Sequence, residues 1–218
     1  MHGKNELLTK EVTAMSTIHE HTGSTTTGGP GGPTASPSVD DTTQNRLTTP
    51  TRRVLAVLRI AFGFTFLWAF FDKLFALGFH TGYSPDGKLD RFGDAAWING
   101  GSPTEGFLKF GADGPFKEFY NSIGGTVWAD WGFMLGLLAI GVALTFGAGM
   151  RLAAVAGAFM YVLMWTVVLP PENNPVIDEH ILGAITLVAL ALLNAGDTWG
   201  LGRWWSKTDV VEQYPALR

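Results

Sequence analysis

Arg59, Asp72, Lys73 and the run Asp178-Glu179-His180 are ionisable side chains set in or beside long apolar stretches of this chain. A charge at such a place is expensive in lipid, so each one is a candidate for function. His180 is followed at helical spacing by Gly183, Ala184, Leu187 and Ala191, a face of mostly small residues that turns inward. His180 therefore looks into the helix assembly, either as a hydrogen-bonded core histidine or as a group that moves protons. Asp72 and Lys73 lie 13 and 14 residues beyond Arg59, roughly 20 Å along a helix, which puts them near the outer boundary at the depth of His180. As sequence neighbours they point to different partners. Arg59 is either a structural anchor that snorkels to the surface or a functional group. Asp178 has the position of a helix N-cap. A zinc site on Asp178, Glu179 and His180 is not expected, because adjacent helical residues point apart; no metal is assigned. Bis-histidine haem ligation finds only His80 and His180 near the apolar stretches, and His80 has no further ligand pattern beside it.

The elements that must hold these residues are four apolar helices. They span about 54–78, 128–147, 151–169 and 177–195, with the first interrupted by Arg59, Asp72 and Lys73. Helices that cross a bilayer need roughly 20 apolar residues, and the middle two show no polar stripe of the kind a soluble bundle requires. The fold class expected is an all-α integral membrane four-helix bundle with an extracytoplasmic loop cap. Gly132 and Gly136, then Ala139, Ala143 and Gly147, recur at spacing four. Ala153 with Gly157, and Gly183 with Ala184, offer further small faces for close helix packing. These faces also leave self-association open.

The chain has 218 residues, 46% of them hydrophobic, and a net charge of -4. That balance gives no footprint for nucleic acid. The absence of cysteine excludes disulfides, thiolate metal ligands and covalent sulfur carriage on this chain. Residues 1–50 are rich in Thr, Gly, Pro and Ser and contain no apolar core of a secretory signal, so they read as a disordered cytoplasmic leader. The membrane domain covers 51–203 and a cytoplasmic tail 204–218. Arg46, Arg52 and Arg53 precede the first span, Arg151 sits between the second and third, and Arg203, Lys207 and Arg218 follow the fourth. These basic segments fall on one side, which places both termini in the cytoplasm of a multi-pass plasma-membrane protein. The loop 79–127 lies outside. It is too long for a connector and rich in aromatic residues, as a folded cap or binding loop would be.

The first helix, with Arg59, Gly63, Phe66 and Asp72-Lys73-Leu74, resembles the DoxX family of small membrane proteins. The run from Trp97 to Thr104, with Asn99 and Ser102 inside it, and the helix start Asp178-Glu179-His180-Ile181 are similar to the DoxD branch, which includes the large subunit of thiosulfate:quinone oxidoreductase. The resemblance covers about 52–203. It implies four spans and a quinone-linked redox role with a small partner subunit or redox complex. Under it, His180, Asp72 and Lys73 are the catalytic candidates, and Trp97, Asn99, Ser102, Glu179 and Arg59 the quinone- or substrate-binding ones. A quinone taken from the bilayer is the implied cofactor; no flavin or iron–sulfur pattern is present. The competing expectation is a non-catalytic scaffold or assembly protein of a redox complex. A transporter fits less well, since no internal repeat or broken helix is visible.

Overall fold

The computed structural model describes residues 46–83, 86–172 and 174–218. The expected leader lies outside these for residues 1–45. Its last residues do not belong to a leader, because helix α1 already starts at Thr49 and runs to Phe75. The Thr48 side chain accepts the Thr51 N–H, and Pro50 tolerates the first turn, where no amide partner is needed. The helix ends at Phe75, three residues before the expected end at about 78, because Ala76 takes left-handed backbone angles.

Beyond α1 come α2 (Lys117–Ile123), α3 (Val127–Phe146), α4 (Met150–Val167), α5 (Glu179–Leu192), α6 (Gly202–Trp205) and α7 (Asp209–Gln213). The described residues contain no strand. The turn from α3 to α4 is tight because Gly147 and Gly149 both take positive φ, 72° and 65°. The segment expected as the tail holds Trp204 and Trp205 of the short α6 and all of α7. Arg218 bonds to Asp197 at 2.9 Å and its carbonyl accepts the Arg151 N–H, which ties this segment to the start of α4.

Helices α1, α3 and α4 are 27, 20 and 18 residues long and apolar enough to cross a membrane; in none of them is more than 33% of the apolar window buried within the protein. Their outward faces carry Val57, Phe64, Leu135, Val142, Val155 and Phe159 in the open. Water would penalise so much continuous apolar surface, and lipid does not. The chain is therefore a membrane protein. Helix α5 has 14 residues, about 21 Å at 1.5 Å per residue, and so falls short of a bilayer core by itself.

One core joins the four long helices. Phe66 and Phe70 of α1, Leu137 and Leu144 of α3, Ala154 of α4 and Leu187 of α5 belong to it. In lipid, apolar burial drives association weakly, so close backbone approach matters more. The spacing of small residues finds some of the close approaches, at Gly157 and Gly183, and misses others. Gly132 faces open space, whereas a Cβ on Gly63 would lie 2.7 Å from the Thr145 amide nitrogen and one on Gly141 2.9 Å from that of Leu67. These two glycines set the α1–α3 crossing. On the other side, a Cβ on Gly157 would meet Leu187 and one on Gly183 would meet the Tyr161 ring, so these two glycines let α4 and α5 meet.

Candidate functional site

The ionisable residues separate into those that hold the chain together and those with chemistry to spare. Arg59 is completely buried. Its guanidinium donates to the carbonyls of Leu144, Thr145 (2.9 Å), Thr198 (3.4 Å) and Trp199 (3.0 Å). The first two are carbonyls at the C-terminal end of α3, where no further helical amide remains to bond them. The last two lie in the connection between α5 and α6. Arg59 thus clasps three segments and replaces missing amides.

Asp72, 1% exposed, has both carboxylate oxygens engaged at the other end of α1. They accept the amides of Phe79 (3.1 Å) and His80 (3.0 Å) and close the turn after the helix. Asn99 donates to the carbonyls of Phe92 and Gly93, and Ser102 donates to Asp130 at 2.8 Å. Trp97 stands edge-on to Trp131 with ring centroids 4.8 Å apart. The residues expected to contact a substrate from the loop are therefore engaged in folding the loop onto α3.

Asp130 is the anchor of that loop and is absent from the sequence-based candidates. It is 8% exposed, and its Oδ1 accepts from Ser102 Oγ, the Thr104 amide (3.2 Å) and Thr104 Oγ1 (2.5 Å). Thr104 Oγ1 in turn accepts the Gly125 amide at 3.2 Å, just before α3. The signal was one carboxylate in the first turn of an apolar helix, 26 residues from its partner. Asp130→Ala leaves three donors without their acceptor, which costs about 2–4 kcal/mol. Limited proteolysis should then cut between residues 98 and 115 far faster than in the parent, while α3 and α4 stay protected.

Three side chains keep unspent capacity. Lys73 Nζ lies 5.8 Å from the centre of the Phe133 ring of α3, a cation–π contact, and has no ion pair shorter than 4 Å among the described residues. His180 Nδ1 lies 2.7 Å from Asp178 Oδ2, with the imidazole 12% exposed. Tyr161 of α4 stands edge-on to His180 at 6.1 Å between centroids and packs on Phe62 and Phe66 of α1. Asp178 caps α5 as expected, its Oδ1 accepting the amides of His180 and Ile181 at 3.1 Å. Its Oδ2 is what fixes the imidazole. With the proton on Nδ1 donated to the carboxylate, Nε2 presents a lone pair that can take a proton, and the carboxylate stabilises the imidazolium that results.

Asp178, Glu179 and His180 also bring a ligand atom each within 4.8 Å of one another. They converge because Asp178 is extended, at φ -128° and ψ -170°, so the rule that adjacent helical residues diverge does not apply to it. Both Asp178 oxygens are already bonded within the protein, which suits an oriented histidine better than a metal ligand. No hydrogen bond or ion pair joins the His180 group to Lys73 among the described residues. His180 stands against Tyr161 of α4 and Lys73 against Phe133 of α3.

These elements define a class, an all-helical membrane protein with an oriented histidine at one end of its apolar helices. Compared with known proteins, the chain matches no family model, no curated protein and no solved structure.

Proposed function

We propose that the chain is the membrane subunit of a quinone-linked oxidoreductase, with His180 exchanging protons with the quinone head group and Asp178 orienting it. The observation that carries this reading is the 2.7 Å Asp178–His180 contact, placed beside Tyr161, Phe62 and Phe66. A quinone needs an apolar surround with few polar groups, and its reduction takes up two protons, so a titratable side chain beside an aromatic wall suits it. Lys73 is the basic group offered to an anionic donor such as thiosulfate. The resemblance to the DoxX/DoxD proteins supplies the electron-donor class and the partner subunit of this proposal. In it the fourth span is α5 lengthened by the 177–178 and 193–195 flanks. Its outward Leu182, Ile185, Val188 and Leu192 suit lipid as those of the longer helices do. Both termini are cytoplasmic and the loop 79–127 is a cap on the outer face.

A scaffold of a redox complex is the second reading. It is favoured by the number of polar residues, Arg59, Asp72, Asn99, Ser102 and Asp130, whose bonds serve the fold alone.

Membranes containing the chain and its partner should reduce quinone with thiosulfate or a related sulfur compound, followed by absorbance of the quinone. The four-span arrangement is read separately: tags at Met1 and Arg218 should resist external protease in intact cells, and a tag near Asp113 should be cleaved. No donor-dependent quinone reduction in a correctly inserted complex sinks the catalytic reading in favour of the scaffold.

A further inference from the structure

The end of the protein where Arg59 makes its clasp holds a cleft of about 270 Å³. It is lined by Arg52 and Arg53 of α1, by Asp197, Thr198 and Trp199 of the connection after α5, and by Arg203 of α6. Asp197, the acid in it, is bonded to Arg218 at 2.9 Å. No carboxylate among the described residues lies within 4 Å of the guanidinium groups of Arg52, Arg53 or Arg203. Arg52 Nε and Thr198 Oγ1 are buried and have no hydrogen-bond partner among the described residues. Two donors left over in a cleft with three arginines require an acceptor with several oxygens and negative charge.

We infer that this cleft binds a phosphate group, and that its source is the headgroup of an anionic phospholipid. The volume lies below the roughly 300–1,000 Å³ of sites for drug-sized ligands, and so suits a headgroup. The cleft opens where α1 begins, at a membrane-facing end. Trp199, 61% exposed, lines it, and Trp204, 64% exposed, follows Arg203 in the chain; aromatic residues collect in this way at the level of lipid headgroups. Basic pockets at such positions collect anionic lipids. Arg59 bonding the Thr198 and Trp199 carbonyls holds one wall in place without a ligand. The assignment is independent of any quinone chemistry at the opposite ends of the helices.

The test titrates the full chain, in phosphatidylcholine nanodiscs, with phosphatidylglycerol, sn-glycerol 3-phosphate or inorganic phosphate, and reads bound ligand by native mass spectrometry. Phosphatidylglycerol should bind saturably. A membrane-surface arginine contributes about a factor of five in affinity, so Arg203→Gln should weaken binding roughly fivefold and Arg52→Gln with Arg203→Gln roughly 25-fold. Failure of glycerol 3-phosphate to compete identifies the lipid as the source. Competition by glycerol 3-phosphate or inorganic phosphate with the same arginine dependence keeps the phosphate site and assigns a soluble source. Arg52 also lies in the first turn of α1 and bears on insertion; if the double variant does not insert, Arg203→Gln carries the test alone. Equal phosphatidylglycerol retention by parent and variant, or no preference over phosphatidylcholine, overturns the proposal.

Discussion

Arg59→Met is expected to deplete the folded protein more than any other single substitution considered. The methionine keeps most of the apolar stem and removes all the donors that bind Leu144, Thr145, Thr198 and Trp199. A hydrogen bond from a charged group contributes about 1.5–3 kcal/mol, and buried carbonyls left without donors add their own cost. The loss should reach about 3–5 kcal/mol, a large part of a typical domain's stability. The thermal midpoint in detergent should fall by many degrees, and the amount recovered from membranes should fall with it. Arg59→Lys should rescue little, since one ammonium cannot reach carbonyls on both sides as a planar fork does. A normal melting temperature for Arg59→Met would show that the clasp is dispensable and would reopen a ligand-binding role for Arg59.

His180→Ala should have the largest effect on turnover. If Nε2 exchanges protons with bound quinone, its loss lowers quinone-dependent turnover by about 10²–10⁴. Membrane content should stay near that of the parent, because the α5 cap survives: Asp178 Oδ1 still accepts the amides at positions 180 and 181. Asp178→Asn makes the test sharper. Asparagine caps a helix about as well as aspartate, so stability should hold. The amide no longer supplies a negative charge to the imidazole, so turnover should fall by a smaller factor than in His180→Ala, without loss of protein. Under the scaffold reading both variants change assembly or abundance and leave no separate catalytic defect. Full turnover in a stable His180→Ala preparation removes His180 from the chemistry.

The chain is legible in its helices and poorly legible in its site. Long apolar stretches at about 128–147 and 151–169 reveal their helices because a helix satisfies its own backbone in lipid, and they lack the alternation of a barrel strand. Asp178 is the expected cap. Boundaries drift where capping decides them: Thr48 draws α1 upstream to Thr49, and left-handed angles at Asn194 follow the end of α5 at Leu192. Asp130 is not legible as an anchor in the sequence, because its role depends on Ser102 and Thr104, which no spacing rule connects to it. Arg59 and Asp72 were recognised as unusual, yet a buried charge has the same appearance in sequence whether it binds a ligand or a carbonyl.

By itself the sequence determined an all-helical chain with apolar membrane-length segments, and the Asp178 cap that begins α5. These follow from the local backbone and from the solvent around it, and neighbouring residues encode both. The tertiary structure alone decided which charges are spent. Arg59 meets Leu144 across 85 residues and Trp199 across 140, and Asp130 meets Thr104 across 26. Such partners are chosen by how the helices cross, and the crossings are set by where Gly63 and Gly141 let two backbones touch. Once those contacts are made, His180 on Asp178 and the arginines of the cleft are left with bonds still to form.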